Sequence, residues 1–164
     1  MRHCIVLTIA LVTFSLGLAA AASAQDHHCS IRGMRGAWGY TETGTVVAPG
    51  PTPILAAAVG RYEFESDGTF SGTQNSSAGG TVNQDLKLGT FTVNPDCTGT
   101  LTLRIFDSSG TTLRRRSTWA IVLVDNVSEF RGIMTSMEFP NGDALSPIMT
   151  MTGKRLFRDY GRDQ

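Results

Sequence analysis

Two carboxylates placed two residues apart, Glu63 and Glu65, are the first side chains whose types and spacing could support catalysis. A pair of acids can act as general acid and general base on one substrate. Both residues alternate with Tyr62 and Phe64, however, and they share their strand face with Arg61. This alternation predicts a strand whose charged face lies in solvent, so we expect the pair to be a solvated surface.

Glu42 is a different kind of candidate, because strand alternation places it on the same face as Trp38 and Tyr40. A carboxylate on an apolar face needs a partner when it is buried. Arg104 or Arg116 could supply that partner. We therefore expect either a structural ion pair or, as a less favoured alternative, a polar anchor for a ligand.

Two further groups of side chains could bind ions. Alternation sends Arg114 and Arg116 to one strand face and Arg115 to the other, so this basic run predicts a solvated strand end rather than a continuous anion-binding surface. Methionines are adaptable pocket residues and ligands for soft metal ions, although core packing is the favoured interpretation here. Four of them cluster late in the chain: Met134, Met137, Met149 and Met151.

Nucleophilic catalysis finds little support in this sequence. Beyond the first 24 residues the only histidines are His27 and His28, which are adjacent, so no Ser–His or Cys–His arrangement is evident. We predict no catalytic residues, no metal site and no cofactor. One minor alternative follows from cleavage after Ala24, because His27 would then be the third residue and could bind Cu(II) or Ni(II) in a square plane with the free amine.

Residues 1–24 are predicted to be a secretory signal peptide. Arg2 gives a positive start, residues 5–18 are almost entirely apolar, and residues 22–24 supply a small-x-small cleavage pattern. The apolar run is shorter than the roughly 20 residues that a membrane-spanning helix needs. We therefore predict a secreted or periplasmic protein with no integral membrane segment after cleavage.

Charge and cysteine content narrow the class of protein further. The 14 basic and 14 acidic residues balance, which argues against nucleic-acid binding, because that function needs an excess of Lys and Arg. Removal of the signal peptide takes Cys4 with it and leaves Cys29 and Cys97 as a pair in an oxidising compartment. We predict a disulfide between them that stabilises the fold by about 4 kcal/mol.

The elements that must position these residues are strands. Alternating or wholly apolar stretches lie between turn signals, of which Asp67-Gly68 is the strongest hairpin signal. The apolar face of one long stretch changes phase, which predicts a bulge near Gly89. Residues 75–80 are expected to be a flexible link. The predicted strands are 35–47, 57–66, 69–74, 81–93, 100–106, 113–124, 127–135 and 146–157.

About eight strands with short connections predict an all-β fold. We favour a single antiparallel up-and-down β-barrel, because closure removes exposed sheet edges, and a β-sandwich is the alternative. The barrel is expected to span residues 35–157. A tail of residues 25–34, which includes Cys29, precedes it, and a second tail of residues 158–164 follows it.

Gly36-Ala37-Trp38, at the start of the first strand, resembles the Gly-x-Trp motif of the calycins, the lipocalin and avidin-like barrels. The resemblance implies that Gly36 and Trp38 are structural, with the Trp38 ring plugging one end of a barrel. It also implies that a basic residue of the last strand, Arg155 here, lies over that ring as a cation–π partner. The chain further resembles small exported bacterial proteins of unassigned function, through Gly-x-Trp-Gly-Tyr and through Asn-Pro-Asp-Cys-Thr-Gly-Thr at residues 94–100.

These observations favour a non-enzymatic exported barrel that binds a small, mostly apolar molecule in its interior. An eight-stranded barrel is just wide enough for side chains or one small ligand. A filled interior with no pocket above roughly 300 Å³ would contradict this function. The residues expected to line the ligand site are Trp38, Tyr40, Tyr62, Phe64, Phe91, Trp119 and Met149.

Two other functions remain open at this point. A barrel with a filled core could act through its surface, as an inhibitor, an envelope component or a protein-binding module. A small-barrel enzyme similar in shape to allene oxide cyclase is the second alternative. That enzyme would need an ionisable group with a strongly perturbed pKa inside the pocket.

Overall fold

The computed structural model describes residues 29–47 and 52–156. In that part of the chain, eight antiparallel strands follow one another around a closed barrel, and the last strand pairs with the first. A four-residue helix, α1 (Ile31–Met34), precedes the barrel. The strands are β1 (Gly36–Val47), β2 (Ile54–Phe64), β3 (Thr69–Ala78), β4 (Thr81–Val93), β5 (Thr98–Asp107), β6 (Leu113–Val124), β7 (Glu129–Glu138) and β8 (Ala144–Arg155).

The all-β barrel predicted from the sequence is thereby confirmed, and the sandwich alternative is excluded. The predicted signal peptide, His27 and the predicted tail of residues 158–164 lie outside the described residues. Within those residues, no helix has the length and apolar character needed to cross a membrane.

Short turns explain why successive strands become neighbours. The turn between β2 and β3 follows the Asp67-Gly68 signal, with Gly68 in the left-handed region at φ +85°, where a glycine meets no Cβ penalty. The Asp67 carboxylate accepts hydrogen bonds from the backbone N–H and the hydroxyl of Thr69 at 2.9 and 2.7 Å. This side chain therefore fixes the turn locally.

The direction of the strands gives the barrel two different ends. Strand β1 runs from Trp38 at one end, which we call the closed end, towards Val46 at the other, which we call the mouth. Because neighbouring strands are antiparallel, β3, β5 and β7 also run from the closed end to the mouth. Side chains of alternate residues point into the interior, where they form one continuous buried core.

Strands β2 and β3 are longer than the sequence predicted. Strand β2 begins at Ile54, and β3 continues to Ala78, so most of the segment expected to be a flexible link belongs to the sheet. Register is continuous from Phe64↔Phe70 to Ala56↔Ala78. The polar residues near the end of β3 resemble a loop in composition, but the hairpin partner satisfies their backbone groups, and this pairing decides their structure.

The predicted bulge near Gly89 is wrong. Strand β4 pairs without interruption with both β3 and β5, and one alternating face carries Asp85, Lys87, Gly89 and Phe91. The two charged residues are almost fully buried, so the apparent change of apolar phase reflects charged side chains on the inner face. The register irregularities that do occur lie elsewhere, in the β5–β6, β6–β7 and β7–β8 pairings.

Residues 29–34 cap the closed end. Ser30 is the N-cap of α1, and its hydroxyl accepts a hydrogen bond from the Gly33 N–H at 3.0 Å. Met34 is fully buried against the core. Cys29 and Cys97 lie at disulfide geometry with their Cα atoms 4.9 Å apart, as the sequence predicted. The bridge ties the start of the cap to the β4–β5 turn.

Candidate binding pocket at the mouth of the barrel

Trp38 closes the end of the barrel opposite the mouth. Its ring is fully buried, its indole N–H donates to the Met34 carbonyl at 2.9 Å, and the Arg155 guanidinium lies 4.6 Å from the ring centroid. The same guanidinium donates to the carbonyl oxygens of Gly33 and Arg35. The geometry thus has the buried tryptophan and the overlying arginine that the resemblance implied.

Aromatic side chains fill the middle of the barrel. The rings of Tyr40 and Tyr62 are stacked with centroids 4.0 Å apart, and Phe64 contacts Phe91 at 4.9 Å, edge to face. Six of the seven residues proposed from the sequence to line a ligand site are at most 3% exposed. None of those six lines the pocket described below; Met149, the seventh, does.

A buried ion pair lies on the mouth side of these rings. The Lys87 ammonium donates to the Glu42 carboxylate at 2.6 Å and to the Tyr62 hydroxyl at 3.1 Å. It also lies 4.8 Å from the centroid of the Tyr40 ring, a cation–π contact. Both charged side chains are at most 5% exposed, so each depends on the other for compensation.

The partner of Glu42 is therefore neither of the arginines proposed from the sequence. Arg104 points to solvent, and Arg116 lies 3.9 Å from Glu138 on the outer surface. Both belong to outward positions of their strands, whereas Lys87 occupies an inward position of β4. Strand alternation decides the pairing, because a side chain on the outer face cannot reach the interior.

Burial shifts the titration of this cluster. It lowers the pKa of Lys87 below its usual value of 10.5, because desolvation disfavours the ammonium, and the nearby Glu42 carboxylate opposes that shift. Burial also raises the pKa values of Tyr40 and Tyr62, and the negative charge of Glu42 raises both further. These shifts favour the neutral, hydrogen-bonding form of both phenols.

Asp85 organises a second buried polar group. It is 2% exposed and accepts hydrogen bonds from the Gln74 amide at 2.7 Å and from the Ser76 hydroxyl at 3.1 Å. Arg114 and Arg115 lie 3.6 and 3.7 Å from its two oxygens. The tyrosine layer connects to this group, because the Tyr40 hydroxyl donates to Gln74 at 3.3 Å.

A pocket of about 180 Å³ lies between these polar groups and the mouth. We call its apolar lining the walls and its polar lining the floor. The principal wall residues are Val46, Ile54, Ala58, Met134, Met137 and Met149. The floor residues are Glu42, Gln74, Ser76, Ser77, Asn83, Arg115 and Ser117. A molecule in the pocket would therefore contact apolar and polar side chains together.

Ser117 is the floor residue with an unsatisfied group. It is 2% exposed, and its hydroxyl has no hydrogen-bond partner among the described residues. The indole N–H of Trp119, two residues along β6, is likewise unpaired within the described part of the chain. Buried polar groups in native proteins normally have partners, so the hydroxyl beside the pocket is available to an occupant.

Other candidates from the sequence stay on the surface. Arg61 and Glu63 pair with each other at 2.6 Å on the outer face, with their side chains 56% and 40% exposed, and Glu65 is exposed. The solvated face predicted there is confirmed. Among the described residues, no group of three or more His, Cys, Asp or Glu side chains could hold a metal ion.

Lys87, Asp85, Gln74 and Ser117 were not identified from the sequence. A signal for the first two existed, since they share the alternation phase of Phe91, which is a strong core residue. The leucines at 86 and 88 obscured it, because apolar side chains on the outer face suggested the opposite phase. Gln74 and Ser117 point inward because of how their strands pair with neighbouring strands. The local amino-acid composition does not reveal this pairing.

No protein-family model and no curated protein sequence matches the chain. Solved structures do match it. One is EF1p2_mFAP2b bound to DFHBI, with a TM-score of 0.51, 17% identity, and coverage of 79% of this chain and 99% of the other.

Two other matches have lower TM-scores. The S-type phycobiliprotein lyase CPES of Guillardia theta has a TM-score of 0.45 and 11% identity over 80% of this chain and 96% of its own. Rv2717c of M. tuberculosis has a TM-score of 0.39 and 15% identity over 76% and 93%. The match to EF1p2_mFAP2b shows a similarity of fold alone.

Proposed function

We propose that this protein binds a small molecule with an apolar body and one polar group in the mouth pocket. The observation that carries the proposal is the pocket itself, open at one end, with apolar walls and a floor that holds an unpaired buried hydroxyl. Apolar walls with a few polar groups that fix orientation are typical of small-molecule sites.

The size of the pocket limits the occupant. Its 180 Å³ is below the roughly 300 Å³ at the low end for ligand sites, so the volume expected from the sequence for a small, mostly apolar ligand held inside the barrel is not reached. An apolar cavity of about 150 Å³ is nevertheless enough for benzene. The proposed ligand is therefore about the size of a substituted benzene ring, or a longer molecule that extends out of the mouth.

The fold and the cysteine pair support the proposed class of protein and its proposed location. The neighbour bound to DFHBI is a barrel of similar fold that binds a small molecule. The Trp38–Arg155 packing supports a calycin-like barrel. The Cys29–Cys97 pair supports export to an oxidising compartment, secreted or periplasmic, after removal of residues 1–24.

A surface-binding function is the second candidate, and one observation favours it. Leu55 and Ile148 are 74% and 71% exposed, and both pair with Thr45 of β1, one on each side. Exposed apolar side chains that lie together often mark contact surfaces. The enzyme alternative finds less support, because Lys87 has a perturbed pKa but is not among the residues that line the pocket.

Native mass spectrometry of protein purified from its own host tests the proposal. We expect a retained small molecule in the wild-type protein, and its loss in Ala58→Phe, which fills the pocket from a wall position. Val59→Phe is the matched control, because residue 59 is the next residue of β2 and is exposed. Retention of the same molecule in Ala58→Phe, or failure of wild-type protein to bind any compound of a small aromatic library, would overturn the proposal.

A further inference from the structure

The charges of the side chains around the pocket floor do not cancel, and three of the five, Glu42, Asp85 and Lys87, are buried. Two carboxylates, Glu42 and Asp85, face three cations, which are Lys87, Arg114 and Arg115. With all five groups ionised, this cluster carries a formal charge of plus one. A partly buried excess charge favours an anionic partner over a neutral or cationic one.

Arg115 is the cation that can reach such a partner. It lines the pocket, and its side chain is 24% exposed. Its ion pair with Asp85 spans 3.7 Å, which is longer than the 2.7–3.2 Å of a hydrogen bond. Lys87, by contrast, already donates to Glu42 and Tyr62. The guanidinium fork of Arg115 thus has donors to offer an occupant.

Ser117 adds a second, independent donor. It is the next inward residue of β6 after Arg115, and it is buried, lines the same pocket and has an unpaired hydroxyl in the described part of the chain. A planar anion with two oxygens matches a guanidinium and a neighbouring hydroxyl, because an arginine can donate two parallel hydrogen bonds to one carboxylate.

The apolar part of the pocket lining makes a purely inorganic anion a poor occupant. Met134, Met137 and Met149 lie along the walls and are largely buried. Thioether side chains are polarizable and pack well against aromatic rings. An ion without an apolar part would leave this surface uncovered.

We infer that the mouth pocket binds a small organic carboxylate, with the carboxylate on Arg115 and Ser117 and an aromatic or branched apolar body between the methionines. This inference rests on the proposed function and specifies its ligand class. Glu42 is not the anchor for a ligand cation, because the nearest ammonium, that of Lys87, already occupies its carboxylate at 2.6 Å.

Calorimetry or ligand-observed NMR with matched probes tests the inference. Benzoate, benzamide and benzylamine share one ring and differ in the charge of the polar group. We expect wild-type protein to bind benzoate about 10-fold or more tightly than benzamide, from the strength of hydrogen bonds to charged groups, and to bind benzylamine most weakly. Acetate should bind far more weakly than benzoate because it lacks the ring.

Three single variants of β6 test which side chain produces the preference for benzoate. Arg115→Gln should weaken benzoate binding by about 10-fold or more and leave benzamide binding nearly unchanged. Arg116→Gln makes the same change of charge at the next, outward residue and should alter neither. Ser117→Ala should weaken both benzoate and benzamide.

The outcomes separate this inference from the proposed function. Equal affinity for benzoate and benzamide, or a preference for benzylamine, would overturn the carboxylate and leave a small-molecule pocket in place. Equal effects of Arg115→Gln and Arg116→Gln would show that net charge alone acts, which also overturns it. Absence of binding by all three aromatic probes, together with no retained ligand in the native protein, would overturn both.

Discussion

Removal of the buried Lys87 ammonium should destabilise the fold far more than removal of an exposed cation at the same distance from its carboxylate. Lys87 and Glu42 are separated by 2.6 Å with both side chains at most 5% exposed. In Lys87→Met the volume is nearly kept, but the Glu42 carboxylate remains in the interior without its cation. Breaking a buried pair in this way costs about 3–5 kcal/mol.

That loss is large relative to the stability of a domain. Folded domains are more stable than their unfolded chains by about 5–15 kcal/mol, so Lys87→Met should shift the denaturation midpoint substantially. Glu42→Gln should also destabilise the protein, because it leaves the ammonium of Lys87 without a countercharge. The double variant Glu42→Gln/Lys87→Met leaves neither charge, and its loss should be smaller than that of either single variant.

The assay is denaturant unfolding under oxidising conditions, followed by far-UV circular dichroism, with the four proteins forming a double-mutant cycle. Arg61→Gln is the control, because the Arg61–Glu63 pair has the same 2.6 Å separation on the exposed surface. Exposed pairs contribute about 0–1 kcal/mol. The control thus shows the cost of losing a cation at the same distance from its carboxylate when the pair is exposed to solvent.

Two results would refute this reasoning. One is a loss in Lys87→Met no larger than that in Arg61→Gln, which would show that the buried charge is not desolvated. The other is strict additivity, in which the double variant loses the sum of the two single losses. Additivity would mean that the two side chains do not interact energetically despite their short separation.

Two further predictions concern pH and the disulfide. The raised pKa values of Tyr40 and Tyr62 add stability that is fully present below pH 10. That stability is lost above pH 10, as the tyrosines of the unfolded chain ionise. The lowered pKa of Lys87 has the opposite effect, because it makes stability rise with pH up to 10.5. The unfolding free energy of Tyr40→Phe should therefore fall less between pH 9 and pH 11.5 than that of wild type, and an equal or steeper fall would contradict the burial argument. The Cys29–Cys97 bridge joins residues 68 apart. Replacing both cysteines with serine should therefore lower the free energy of unfolding by about 4 kcal/mol in denaturant unfolding. An unchanged denaturation midpoint would show that the bridge does not stabilise the protein.

Local sequence patterns predicted where the strands lie more reliably than they predicted which face of each strand points into the barrel. Strand β2 shows why: Tyr62 and Phe64 alternate with charged residues, so their face is unambiguous. Strand β4 lacks this agreement, because Leu86 and Leu88 lie on the outer face while Lys87 is buried. Hydrophobicity alone assigns such a strand to the wrong face.

The candidate site was predicted only in part for a related reason. Trp38, Phe64 and Phe91 were correctly expected to lie inside, but large rings pack against one another and leave no space among them. Met149 was the proposed residue that does line the pocket. Where a cavity remains depends on how side chains from all the strands fill the barrel, which no single segment specifies.

By itself, the sequence determined the number and kind of elements, the hairpin at Asp67-Gly68 and the pairing of Cys29 with Cys97, because alternation, turn chemistry and cysteine counting act locally or by elimination. Only the tertiary structure decided that Lys87 compensates Glu42, 45 residues away. A buried charge needs a partner, and here that partner comes from another strand. The closed barrel brings the inward side chains of β1 and β4 within contact distance.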